Sequence, residues 1–371
     1  MPPSVQLRGT PVPPPPAELR GDDADVAVPA AASLTAGWLI AGVVAVVGAT
    51  VLGLCVGAID LPPRRVVLEV LDRLPLVSAD SGLTPTEAAV VWDLRAPRVA
   101  LGLLVGALLA GSGAAYQGVF RNPLADPFLL GIAAGAGLGA TLAIVTGAGD
   151  GAGILDGLPL AAFVGALIAV AATATLSMRP GRPVSPATLI LAGVAMAAFF
   201  TALQTYVQQR HQESLRQVYA WILGRLSTSG WDEVLMLLPY AALCLPVLLL
   251  AAGALDVLAV GDDEAAALGL SPQRTRWIVL VAASLGAAAA VAVSGLIAFV
   301  GLIVPHAVRM VAGVSHRRVI PLSILFGAAF LALTDVAART VEAPVELPIG
   351  VLTAFIGAPF FFVILRRQVD S

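Results

Sequence analysis

The side chains able to do chemistry in this sequence are few. Arg95, Arg98, Asp335 and Arg339 stand at the edges of long apolar runs, Tyr116, Gln117 and His306 within runs, and a small acidic segment, Gly261 to Gly269, between two runs. Asp335 precedes Arg339 by four residues, the spacing at which two side chains meet on one helix face. A carboxylate in a membrane span is a functional candidate, but an ion pair that holds Arg339 in place accounts for this one better than a proton relay. Arg95, Arg98 and Arg339 fit interfacial snorkelling, with the stem in the bilayer and the guanidinium among headgroups. His306 follows Pro305 in the stretch Ile303-Val304-Pro305-His306, read as a turn where a structural hydrogen bond is expected. No second His or Cys lies at ligand spacing, so no metal site is assigned. Cys55 and Cys244 sit inside apolar runs and read as small apolar side chains rather than a disulfide.

Catalysis finds no footing. The runs contain no paired carboxylates, no Ser/His pair and no His/Glu metal spacing, so no catalytic residue is assigned. Gly135-Ala136-Gly137-Leu138-Gly139 has neither a preceding strand nor a Lys, and no Walker A motif occurs elsewhere. The glycines read instead as packing positions, because lipid offers helices no hydrophobic drive to associate and small side chains must supply close approach.

The segment 259–276 carries the clearest local signals. Asp262 is a suitable N-cap, Asp263 and Glu264 place negative charge in a first turn, Ala265 to Leu268 continue a helix and Gly269 ends it. Ser271 then caps a second helix with Pro272 at its first position. The expected product is a helix of about two turns, too short and polar to span, exposed between two spans and suited to seat in a groove of a soluble partner.

The elements that position these residues follow from composition. The chain is 58% hydrophobic and only 12% charged, with a mean hydropathy of +0.91. A soluble protein of this length needs a charged skin that these residues cannot supply, so the apolar surface must face lipid. The net charge of −3 points to no nucleic-acid partner. Residues 1–33 are Pro-rich and acidic and cannot bury a core, so a disordered extension is expected. About ten spans are expected over 34–367, judged against the ~20 residues that cross a bilayer core. They lie at 34–59, 99–120, 128–147, 158–178, 187–207, 234–255, 277–298, 302–313, 319–338 and 348–365, the run at 302–313 being short. The segment 60–94 is too polar for hydrocarbon. Asn122 and Asp126 each precede a proline, so one helix must end and another begin between Arg121 and Pro127. Gln204, Tyr206, Gln208 and Gln209 make a polar span end, either a gate or a meeting with interfacial water, and Tyr219 to Arg225 reads as a short outer helix with interfacial aromatics. Arginines divide evenly between the two sides of a ten-span chain; restricting the count to short loops favours both termini on the cytoplasmic side.

Four stretches resemble the FecCD family, the permease subunits of ABC importers for ferric siderophores, haem and cobalamin: Arg95 to Ala140 around the hinge, AVGDDEAAALGLSPQRTR from Ala259, SGLIAFVGLIVPHAVRMVAGVSHRRVIP from Ser294, and TDVAARTVEAPVELPIGVLTAFIGAPFFFVILRR from Thr334. The resemblance covers roughly residues 34 to 367 and implies an all-α polytopic membrane protein with type II ABC importer permease architecture, in a bacterial inner or plasma membrane. It implies that Gly261, Asp262, Glu264, Ala265, Leu268 and Gly269 couple to a cytoplasmic ATP-binding subunit, with Asp262 where the family usually has Glu. It further implies that Arg95, Arg98 and Arg339 dock an extracytoplasmic substrate-binding protein, and that Tyr116 and Gln117, with the span beginning near Ala187, line a path on the axis of a homodimer or of a dimer with a paralogous permease. ATP and Mg would belong to the partner subunit, and this chain would bind no cofactor. The expected cargo is a ferric siderophore; haem and cobalamin are the alternatives within the family. An ion-driven secondary transporter is the alternative outside it, for which the spans offer Asp335 and little else.

Overall fold

A computed structural model describes residues 36–57, 61–73, 80–148, 157–178, 185–226 and 230–369, without the side chains of 365 and 367–369. The expected extension 1–33 lies outside the described residues. Helix α1 (Ala36–Cys55) is followed by α2 (Pro63–Asp72) and by α3 (Pro85–Ala89), which Thr84 and Glu87 open with a reciprocal capping box. Pro97 lacks the N–H that would bond residue 93, and just ahead of it the chain widens into a π turn, Val90–Arg95, before entering α4 (Ala96–Phe120). Helix α5 (Ile132–Thr146), α6 (Gly157–Ser177), α7 (Pro186–Arg210), the short α8 (Leu215–Ile222) and the long α9 (Asp232–Val260) come next. Then follow α10 (Asp262–Ala267), α11 (Pro272–Ser294), α12 (Val300–Ala312), α13 (His316–Thr340) and α14 (Ile349–Val369).

Among the described residues, seven helices are long and apolar enough to cross a membrane: α1, the continuous Pro85–Phe120 run, α6, α7, α9, α11 and α13. The expected ten are not reached on this measure. The apolar stretches Ile132–Thr146 and Val300–Ala312 form shorter helices, and the apolar part of α14 is described over Ile349–Ile364. The first has 15 residues and the second 13; at 1.5 Å per residue each covers only about 20 Å of a ~30 Å hydrocarbon core. Turn geometry takes the missing length. Residues Pro127–Leu130 form a 3-10 turn and Gly131 adopts a left-handed φ of 83° before α5 starts. The stretch between α11 and α12 holds Gly295 and Phe299 at φ of 69° and 70°.

The hinge behaves as its prolines require. Helix α4 stops at Arg121, which is left-handed, and the Asn122 amide donates back to the Gln117 carbonyl. The Asp126 carboxylate then accepts from the Phe128 amide and caps the 3-10 turn. Helix α4 is the buried centre, with Leu101, Val105, Leu108, Ala110 and Ala114 inaccessible. It packs on α13, α11, α9 and α12. Close approach depends on glycine: a Cβ on Gly113 would collide with the Gly301 carbonyl of α12, and one on Gly106 with the Gly327 carbonyl of α13. Gly135 and Gly139 of α5 abut the carbonyls of Gly165 and Ala161 on α6 in the same way, which is the packing use read from the sequence. Helix α7, by contrast, exposes Leu191, Val194 and Phe199.

Candidate functional site

At one end of the bundle, α10 projects between α9 and α11. Gly261 precedes it in extended conformation and Asp262 is its first helical residue, so Asp262 is not the N-cap expected from sequence. The reason lies in two arginines that claim its carboxylate. Arg276 of α11 donates to both Asp262 oxygens, at 2.7 and 2.5 Å, and Arg121 of the hinge donates to one at 2.5 Å. These bonds, the one from Arg276 foremost and then the two positive charges, hold the Asp262 carboxyl below its ordinary pKa. The Glu264 carboxylate folds back over Gly261, where a side chain would collide with it. Ala265 is inaccessible and roots the helix, while Leu268 is 73% exposed beyond its end. Gly269, at φ of 83°, reverses the chain as expected. Ser271 stands at the N-cap position of α11 but its hydroxyl makes no capping bond; Pro272 begins the helix as expected. The result is an acidic first turn and an apolar tip, fixed to the hinge and to α11 by one carboxylate. Nearby, Asp256 at the end of α9 accepts from the Ser315 hydroxyl, from the His316 amide and ring, and from the Arg317 amide, so it caps α13 in place of Ser315.

The opposite end gathers Arg95, Arg98 and Arg339, and none of the three snorkels free. Arg95 is only 6% exposed and donates to the carbonyls of Leu54 and Cys55, both at 2.7 Å. Arg339 donates to the carbonyls of Gly53 and Val56. Two guanidiniums thus satisfy the orphan carbonyls at the C-terminus of α1, where positive charge is favoured. The expected Asp335–Arg339 pair is present, Nε to Oδ2 3.1 Å. Asp335, its side chain 3% exposed, also takes both inner nitrogens of Arg98, at 2.9 to 3.1 Å. The outer fork of Arg98 meets Glu346 at 2.8 and 2.9 Å, and Glu346 is 52% exposed. In the sequence Glu346 gives no signal, being a lone Glu after a Pro-rich turn. A cavity of about 310 Å³ opens beside Arg98, Arg225, Asp335 and Glu346.

The interior residues expected to line a path, Tyr116 and Gln117, are buried within this chain. Tyr116 is inaccessible and its hydroxyl is 2.6 Å from the Ser284 hydroxyl. Gln117 donates to the Gly301 carbonyl and accepts from Arg309. Both face neighbouring helices of the same chain, because α4 is surrounded on all sides. His306 lies inside α12 rather than in a turn, packed edge-on against Phe360 and Phe361, and among the described residues its Nδ1 has no hydrogen-bond partner, so the expected structural bond is not made there. Of the polar cluster near 204–209, Gln204 turns inward and donates to Thr141, whereas Tyr206 and Gln209 are exposed. Cys55 and Cys244 are free and buried. Among the described residues no cluster of His, Cys, Asp or Glu could hold a metal ion.

Known proteins resemble this chain over most of its length. The profile of the FecCD transport family aligns with residues 43–367. The cobalamin import system permease protein BtuC of Halobacterium salinarum is 41% identical over 291 residues, 78% of this chain and 77% of that protein. The iron(3+)-hydroxamate import system permease protein FhuB of Bacillus subtilis is 36% identical over 330 residues, 89% of this chain and 83% of that one. A solved ABC transporter assigned to the metal-chelate type, in an inward-facing conformation, superposes with a TM-score of 0.76 at 32% identity, covering 89% of this chain and 98% of the other. The apolar helical bundle, the proline hinge and the short acidic helix between spans therefore stand within a match that runs through most of the sequence, and the chain belongs to the FecCD transport family of ABC-transporter permeases.

Proposed function

We propose that this chain is the membrane subunit of an ATP-driven importer for a metal chelate, a ferric siderophore in the first instance, with haem or cobalamin as the alternatives. Two copies, or one copy and a paralogous permease, enclose the path between them, the C2 arrangement in which one surface meets itself. ATP and Mg belong to cytoplasmic ATP-binding subunits, and both termini lie on that side of a bacterial cell membrane. The observation that carries the reading is α10: a six-residue helix rooted by Ala265, braced by Asp262 against Arg121 and Arg276, and presenting Leu268 outward. A braced tip of this kind can transmit force from a soluble partner to both the hinge and α11, because Asp262 ties the two together. Gly261 and Gly269 let the chain enter and leave the tip, and Glu264 shields the entry.

The docking of an extracytoplasmic substrate-binding protein belongs to the opposite end. In this reading Arg98 is the contact, since its outer fork pairs with an exposed acid, and Arg95 and Arg339 act behind it by fixing α1. Tyr116 and Gln117 support the wall of the path rather than touch cargo. Asp335, engaged by two guanidiniums, is ill suited to carry a coupling ion, which disfavours the secondary transporter.

Uptake into proteoliposomes containing this chain, its ATP-binding subunit and its substrate-binding protein tests the proposal, with a ferric siderophore, haem and cobalamin offered in parallel. Uptake of one chelate that requires ATP and falls at least tenfold in Leu268→Asp is expected. Uptake that persists without ATP, or without the partners, overturns it.

A further inference from the structure

The two helices joined by α10 also form a groove on their outer side. It has a volume of about 390 Å³ and is lined by Leu243, Val247, Trp277, Ile278, Val281 and Leu285 among others, all apolar apart from the Trp ring nitrogen. Its walls belong to α9 and α11, both long enough to span, so hydrocarbon is the medium it opens to. At 100° per residue, Arg274, Ile278, Val281 and Leu285 fall within about 40° of one line along α11. Arg274 thus stands at the mouth of the groove on the same helix face as its floor. It is exposed, and no described residue pairs with it, unlike Arg276 two positions on, which is committed to Asp262. Trp277 sits one turn further in, at the depth where an amphipathic ring marks the membrane–water boundary.

The geometry points to a binding site for an anionic phospholipid, with one acyl chain in the α9–α11 groove and the phosphate on Arg274. A chain that fills an apolar groove gains dispersion contacts that mobile lipid cannot supply continuously. A guanidinium that no described residue pairs, standing at the boundary, selects for negative headgroups, which basic pockets between spans are known to bind. Phosphatidylglycerol satisfies both demands. Phosphatidylcholine also carries a phosphate, but its ammonium leaves no net charge for Arg274 to attract.

Native mass spectrometry of the detergent-purified full chain, titrated with dioleoylphosphatidylglycerol or dioleoylphosphatidylcholine, tests the site. The wild type is expected to bind one phosphatidylglycerol more tightly than phosphatidylcholine. Arg274→Gln should weaken the anionic lipid about fivefold, the equivalent of ~1 kcal/mol per arginine at the membrane surface, and leave phosphatidylcholine unchanged. Val281→Trp fills the groove and should weaken both; Leu285→Trp serves if Val281→Trp does not fold. Glycerol 3-phosphate should not compete, since the chain is required. Equal affinity for the two lipids, an Arg274→Gln variant that binds as the wild type does, a filled groove that retains lipid, or displacement by glycerol 3-phosphate would each overturn the site.

Discussion

Replacing Asp335 should be the most damaging single change at the arginine-rich end. Its carboxylate, 3% exposed, accepts three bonds from Nε and Nη2 of Arg98 and is ion-paired with Arg339, and those two side chains are 15% and 8% exposed. Removing one partner of a buried pair costs about 3–5 kcal/mol, because the charge left behind is desolvated without compensation. Here the loss is partly offset, since Arg98 keeps Glu346 and Arg339 keeps two carbonyls of α1. Asp335→Leu should therefore destabilise by about 3 kcal/mol, and Asp335→Asn, which retains one acceptor, by about 2 kcal/mol. The assay is reversible unfolding of the purified protein in mixed micelles as denaturing detergent is increased. Arg98→Met completes a double-mutant cycle. With both charges gone no guanidinium is stranded at position 98, so Arg98→Met/Asp335→Leu should lose at least ~1 kcal/mol less than the sum of the single variants. A loss below about 1 kcal/mol for Asp335→Leu, or strict additivity in the cycle, would refute the reasoning that Asp335 is the shared counter-ion.

Three other expectations concern packing, capping and protonation. Gly113→Ala forces α4 away from the Gly301 carbonyl and should cost about 1–3 kcal/mol in the same unfolding assay; no loss would mean that the α4–α12 contact is not close-packed. Asp256→Ala uncaps α13 and should cost about 1–2 kcal/mol, with raised hydrogen exchange at the first turn from His316; unchanged exchange there would refute the capping role. The Asp262 pKa is lowered in the folded protein, so its bracing of α10 is fully present above the ordinary carboxylate pKa of about 3.9 and is lost as pH falls through the lowered value. Hydrogen exchange at 262–269, corrected for the intrinsic rate, should therefore hold its protection from neutral pH down past that ordinary value. In Asp262→Asn the protection should be weaker throughout that range, and protection that fades near pH 6 in the wild type would contradict the assignment.

The sequence by itself determined the solvent, the local breaks and the short acidic helix. A chain with so few charges has to place apolar runs in lipid, prolines after Asn122 and Asp126 have to end one helix and start another, and the pattern from Gly261 to Gly269 has to make a short exposed helix, because each of these follows from residues within a few positions of one another. The number of full crossings was not legible. Hydropathy counts apolar residues, whereas the 3-10 turn at Pro127–Leu130 and the left-handed Gly131, Gly295 and Phe299 decide how many of them are helical. The pairing of charges was legible only where it was local. Asp335 and Arg339 are four apart, a spacing that predicts their pair, but Arg98 meets Asp335 across 237 positions and Arg121 meets Asp262 across 141. For the same reason Asp262 looked like a helix cap and Arg95 like a surface cation. Only the tertiary structure brings the hinge to α10 and α11 at one end, and α4, α13 and the end of α1 together at the other, so that a few charges are shared; a buried charge such as Asp335 must find a partner wherever the fold provides one.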